Sequence, residues 1–369
     1  MNARKHRVRW CGFVFAIAVA LPGAAHAAGS DAGGSVRDES TLTQKSTTAS
    51  KSWWEQRFAG STLDITSYVG SGTFYTSGYH DPYVSTAFYF KPVLDLGTKR
   101  ELTLYGRVYL EHEYTKEDNP EARSNNLLDS WLVLNARNLY TEARSKVRFG
   151  GAFRAILPTS YESRFAHLIV GLSAGLNANR AFEFGTPDPA GKKWRFGLSL
   201  SETGTKFIQT SKYRGEYAGD TNGCRLAPGS FTAGLVGGGA DPSGAAGSDH
   251  CGGPLNPNYS FTSSLAASLT RRRVSLSMTL IVINQFQYSV PMDQFSAVNG
   301  VQTGRSDVTW GLISLGYDIT DHFGVAIGLS SYQPAMNSTY THPRFPFFDF
   351  SGPNANNFTQ VFAGVSGTI

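Results

Sequence analysis

Charged side chains recurring at every second position are the residues of this chain best placed to do chemistry. Over 101–114 the run ELTLYGRVYLEHEY sets Arg107, Glu111 and Glu113 on one parity and Leu102, Leu104, Gly106, Val108 and Leu110 on the other. In extended backbone successive side chains point to opposite sides, so the charges share one face and the aliphatic groups the other. The same logic sets Lys146, Arg148 and Arg154 against Val147, Phe149, Phe153 and Leu157, and adds Lys91, Asp129 and Arg137 to the charged face. If that face lines an enclosed lumen, Lys91, Arg107, Glu111, Glu113, Asp129, Arg137, Lys146, Arg148 and Arg154 make a polar, mildly basic conduit. It would draw anionic or polar solutes by Coulomb attraction in a confined space. The same residues could instead form a salt-bridged wall that fills a narrow barrel.

Catalysis needs more than charge. Glu111 and Glu113, two residues apart on one face, could serve acid–base work or calcium, or simply balance Arg107 and Arg148. His112 stands near the end of a strand and His167 follows Ser163, as a lipid-hydrolysing site would require. Neither lies in a nucleophile motif or has an amide or carboxylate at a persuasive spacing to orient its ring. No catalytic residue is expected. The Gly234 to Gly239 run lacks the Lys-Ser/Thr of a phosphate loop.

Of the three cysteines, Cys11 belongs to the N-terminal leader, which leaves Cys224 and Cys251 in one Gly-, Pro- and Ser-rich stretch. In an exported chain a disulfide between them is the expectation. Zinc is the rival because His250 adjoins Cys251, but four-ligand spacing is absent, so neither metal nor cofactor is expected.

The elements that must position these groups begin with that leader. A basic segment (Arg4, Lys5, Arg7, Arg9) precedes an apolar run from Cys11 to Leu21, then Pro22-Gly23 and Ala25-His26-Ala27. These are the three parts of a secretory signal peptide over 1–27, cleaved after Ala27. The formal net charge of +5 includes those four leader cations, so the mature chain is nearly neutral. No polybasic block is left to bind nucleic acid, and no later apolar run reaches helical membrane-spanning length.

Residues 28–57 read as a flexible, Ser- and Thr-rich tail, with order beginning near Trp53-Trp54. From 58 to 369 strand-like runs alternate with two classes of connection. Short ones are expected near Gly97 to Arg100, Asn138 to Ala143, Asn177 to Arg180, Arg271 to Arg273 and Ile319 to His322. Long ones are expected near Gly70 to Tyr83, Lys116 to Asn126, Pro158 to Ser163, Glu202 to Asn258, Ser289 to Gly304 and Pro334 to Asn356. Strict alternation of long and short is what an up-and-down transmembrane β-barrel demands, with short turns on the periplasmic side and longer loops outside. The alternation predicts an all-β antiparallel barrel of about twelve strands with both termini periplasmic. The 202–258 loop would lie outside, where it either folds inward as a gate or stays on the surface. The charged early strands face Ser-, Thr- and Gln-bearing strands from Thr262 to Gln287, although Ile281 and Ile283 break that alternation.

The leader, the hairpin Tyr317-Asp318-Ile319-Thr320-Asp321-His322-Phe323-Gly324 and the closing strand from Phe358 to Ile369 together resemble the outer-membrane β-barrel proteins of diderm bacteria. The resemblance is to an architecture, and it implies an outer-membrane location. It also implies lipid contact and recognition of the last strand by the barrel assembly machinery. That family usually ends in an aromatic residue, whereas this chain ends in Ile369 with Val365 and Val361 on its face. A passive channel for small polar or anionic solutes is the expected function. A filled structural or surface-interaction barrel is the alternative, and a lipid-modifying hydrolase a distant third.

Overall fold

The computed structural model describes residues 56–70, 83–97, 101–115, 125–189, 191–211, 256–288, 305–335 and 359–368. The leader, the tail before residue 56, Cys224, Cys251 and most of the long connections lie outside the described residues. Among the described residues no helix is long and apolar enough to cross a membrane.

Strand-forming sequence dominates because Val, Ile, Leu, Tyr and Phe alternate with Ser, Thr and Asn, a pattern with period two. The strands are β1 (Thr62–Gly70), β2 (Val84–Lys91), β3 (Val93–Asp95), β4 (Leu102–Glu113) and β5 (Asn125–Leu127). They continue with β6 (Ser130–Thr141), β7 (Arg148–Leu157), β8 (Leu168–Phe184), β9 (Trp194–Gln209) and β10 (Pro257–Arg271). The last four are β11 (Val274–Gln287), β12 (Arg305–Asp318), β13 (Phe323–Pro334) and β14 (Thr359–Thr368). One short helix, α1 (Tyr161–Phe165), stands between β7 and β8.

Every long strand pairs antiparallel with its sequence neighbours, β14 pairs with β1, and β2 pairs with β4, which closes a ring of twelve. The two short strands are continuations of ring members. Proline cannot donate to a ladder, and Pro92 separates β3 from β2, both of which pair with β4. The pair Leu128-Asp129 likewise separates β5 from β6. Closure runs from Thr62↔Thr368 to Gly70↔Gln360, so the start of β1 and the end of β14 share one end of the barrel. All the short turns lie at that end. It is laced laterally: Arg272 pairs with Asp188, Arg273 Nη1 donates to the Ile319 carbonyl at 3.0 Å, and the Thr368 amide donates to His322 O at 2.9 Å.

Polarity is inverted relative to a soluble barrel. Leu63, Phe88, Val108, Leu132, Phe153 and Leu176 are all well exposed on the outer face. Of the largest fully buried side chains among the described residues only Val93 and Val133 are hydrocarbon, the others being Asn135, Asn256, Thr359, Ser85, Ser160, Ser173 and Ser331. An apolar exterior around a polar interior is the arrangement of a barrel whose solvent is lipid.

Two expected turns are displaced. The strand continues through Asn138 to Thr141 by way of a register shift between Ala136 and Tyr140, and the chain reverses at 142–147, where Lys146 takes a left-handed φ of 58°. Asn177 to Arg180 is strand, not turn. Asn177 and Asn179 face inward, with Asn179 Nδ2 donating to Asn177 Oδ1 at 2.7 Å, and the reversal comes after Phe184. Asparagine signals a turn in a soluble protein, but here the polar interior accommodates it. The long connection expected from Glu202 begins later, because β9 runs on to Gln209.

Candidate functional site: the inward face

Directly paired residues of neighbouring strands point to the same side of a sheet, so register decides what the interior is made of. Tyr89 of β2 pairs with Tyr109 of β4, Arg107 of β4 with Trp131 of β6, and Val133 of β6 with Arg154 of β7. All of these face inward, as does Lys91 by its place two residues beyond Tyr89. Cations and rings interleave on this wall. Lys91 Nζ lies 4.6 Å from the centre of the Tyr105 ring. Arg107 Cζ lies 3.8 Å from the Trp131 ring centre and 5.7 Å from the centres of Tyr89 and Tyr109. Arg154 Cζ lies 4.3 Å from the same indole. Each such contact contributes on the order of 0.5–2 kcal/mol, more where water is excluded.

The expected charged residues therefore separate into three groups. Lys91, Arg107 and Arg154 gather on the aromatic wall. Arg107 is only 5% exposed, so it is a component of the wall more than a free surface charge. Arg137, Lys146 and Arg148 lie at the short-turn end, and Lys146 is in the turn itself instead of on a strand. Glu111, Glu113 and Asp129 lie at the long-loop end and are engaged locally. Glu111 accepts a hydrogen bond from the Tyr83 hydroxyl, and Glu113 accepts one from Thr115. Asp129 accepts the Ser160 amide at 3.0 Å and the Ser163 hydroxyl. Ser160 caps α1 by accepting the Ser163 amide at 3.0 Å, so Asp129 anchors that helix to the mouth of the barrel.

The facing wall is built from small hydroxyl groups. Ser199, Ser201 and Thr203 of β9 pair with Ala266, Ser264 and Thr262 of β10, and Ser268 pairs with Ser277 of β11. Ser173 and Thr205 hydroxyls meet at 2.9 Å, and those of Ser277 and Ser314 at 2.6 Å. Ile281, which breaks the sequence pattern, faces inward opposite Trp310, whose Nε1 donates to Ser330 Oγ at 2.9 Å. Trp131 and Trp310 are the inward residues that reading for charge overlooks. For Trp131 the signal was available, since it shares parity with Val133 and Asn135 along β6.

His112 faces outward at the long-loop end, and its Nδ1 is 2.9 Å from Asn125 Oδ1. An orienting amide is thus present where sequence spacing suggested none. The residue paired with His112 on β2 is Thr86, whose hydroxyl meets Ser67 Oγ at 3.0 Å. The Ser163 hydroxyl is directed to Asp129, and the His167 carbonyl accepts the Thr210 amide at 3.1 Å.

No family model and no curated protein sequence matches this chain. Among solved structures it is similar to the NanC porin, at 10% identity and a TM-score of 0.40, covering 83% of this chain and all of that one. It is also similar to Salmonella typhi OmpF in complex with daunomycin, at 8% identity and a TM-score of 0.31, covering 84% of this chain and 96% of that one. Pseudomonas aeruginosa OpdK with vanillate aligns at 10% identity and a TM-score of 0.27, covering 84% of this chain and 98% of that one. The assignment of the fold rests on the strand register and the inverted polarity.

Proposed function

Taking the chain as a closed barrel of the bacterial outer-membrane type, we propose that it is a passive channel for small polar or anionic solutes, with the short-turn end in the periplasm. The observation that carries this reading is the division of the interior into a cationic, aromatic wall and a hydroxyl-bearing wall. Uncharged hydroxyls hydrate a passing solute without holding it, while the cations bias the interior toward anions. The proposal assigns no catalytic role to His112 or His167, and takes lipid and the barrel assembly machinery as the only other partners. The test is single-channel recording in planar bilayers with full-length mature protein whose folding is verified by heat-modifiable gel mobility. Discrete conductance steps with reversal potentials favouring chloride over potassium are expected. Folded, inserted protein that passes no current would overturn the proposal.

The burial of Arg107 and Tyr109 specifically favours a second reading, a structural barrel whose interior is filled on the β1–β7 side. The same recordings separate the two, since a filled barrel conducts nothing.

A further inference from the structure

We propose that Arg107, Trp131 and Arg154 form a binding station for organic carboxylates that carry a planar apolar body, an inference that rests on the channel reading and names its solute class. Two guanidinium groups approach one indole, with Cζ atoms 3.8 and 4.3 Å from its centre. Arg107 is 5% exposed, and its Nε is buried without a hydrogen-bond partner. Among the described residues no ion pair involves it.

A buried cation stripped of water demands compensation. Ring faces supply part of it, but they leave the in-plane N–H donors of a stacked guanidinium unanswered. The ligand that answers them is a carboxylate, whose two oxygens match the guanidinium fork. An anion placed between Arg107 and Arg154 also removes the repulsion between two like charges sharing one ring. The acids on the same inward face, Asp64, Glu111 and Glu113, do not fill this role: none forms an ion pair with Arg107, Glu111 is engaged by Tyr83 and Glu113 by Thr115. Trp131, Tyr89 and Tyr105 are each partly exposed and offer ring surface to a planar body, which distinguishes this station from a simple chloride site.

The experiment is calorimetric titration of the folded, full-length mature protein in detergent with sodium benzoate, and with benzyl alcohol as the neutral probe of the same ring, at constant ionic strength. Saturable benzoate binding is expected. Arg154→Gln is expected to weaken it by about tenfold, the effect of losing one charge-assisted pair. Arg144→Gln, a charge-matched change in the β6–β7 turn, is expected to leave it unaltered. Arg107→Gln is the stronger test if it folds, and Arg154→Gln keeps the inference testable if it does not. Equal binding of benzyl alcohol, absence of benzoate binding, or equal affinity in Arg154→Gln each overturns the station. Conductance without benzoate binding removes this inference and leaves the channel. Arg154-dependent binding without conductance removes the channel and leaves a ligand site in a filled barrel.

Discussion

Replacing Gly328 by alanine tests whether the interior packing on the β13–β14 side is as tight as the register implies. Gly328 faces inward, paired with Ser314 on one side and Phe362 on the other. A Cβ at this position would collide with the Ile313 carbonyl oxygen and stand 2.5 Å from Phe362 Cζ and 2.8 Å from its Cε1. The Phe362 ring can swing aside, at the expense of its contact with Tyr68, whose ring centre is 5.8 Å away. The carbonyl cannot, because it belongs to the backbone of β12. Overpacking of this kind costs about 1–3 kcal/mol, and loss of the ring pair about 0.5–1.5 kcal/mol more. The expected destabilisation is therefore on the order of 2–4 kcal/mol. With a urea dependence of about 1–3 kcal/mol per molar, the unfolding midpoint should fall by roughly 1–2 M. Gly367→Ala is the control, because a Cβ there meets nothing closer than Leu63 O at 3.9 Å, and its midpoint should be unchanged. Unfolding in lipid vesicles, followed by tryptophan fluorescence, reads both variants. A Gly328→Ala midpoint equal to that of the unmodified protein would refute the packing.

Three further predictions concern the ends of the barrel and the long loop. Hydrogen bonds from the Ser145 side chain and from the Arg144 and Ser145 amides hold the Glu142 carboxyl down to about 2, against an ordinary value of 4.5. A depressed carboxylate contributes stability above its unfolded value that is lost as pH falls toward the folded one, so this turn should loosen only between about pH 4.5 and 2. Carbon-13 NMR titration reads it, and a Glu142 midpoint near 4.5 would refute it. Asp129→Ala should remove the anchor of α1 at a cost of about 1–2 kcal/mol, seen as faster hydrogen exchange over 158–168, while unchanged exchange there would contradict the capping role. Cys224 and Cys251 are expected to resist maleimide until reduced; labelling of the unreduced, folded protein would rule out their disulfide.

Much of the barrel was legible in the sequence because its polarity follows backbone parity. The alternation over Leu102 to Glu113 assigned both faces of β4 correctly, and the Arg271–Arg273 and Ile319–His322 turns fall where expected. The errors share a cause. Turn propensities describe chains in water, and Asn177 and Asn179 read as reversals although a polar interior lets asparagine stand mid-strand, while Asn138 falls at the register shift of β6. Ile281 looked like a break in pattern for the complementary reason: part of the inward face is apolar, and Trp310 lies across from it. Among the candidate lumen residues, parity placed Arg107 and Arg154 inward but could not reveal that both meet Trp131. That contact depends on the register of β4, β6 and β7, and register between strands is not written in any one of them.

The two walls also differ in what they leave room for. Serine and threonine project little from a strand, whereas arginine, tyrosine and tryptophan reach far across a barrel of this size. On the channel reading the free cross-section lies against the hydroxyl-bearing strands β8–β11, away from the inward rings of Trp310 on β12 and Phe362 on β14. A solute travelling there would be hydrated by hydroxyls on one side while Arg154 meets it from the other. Arg107, deeper in the wall, meets the carboxylate of such a solute through its unpartnered Nε and holds Trp131 beneath Arg154. Arg154→Gln should accordingly change selectivity and benzoate binding with little change in conductance. A substitution enlarging the opposite wall, such as Ser201→Tyr, should reduce conductance while leaving the sign of the selectivity intact. If Ser201→Tyr leaves conductance unchanged, the path does not run along the hydroxyl wall.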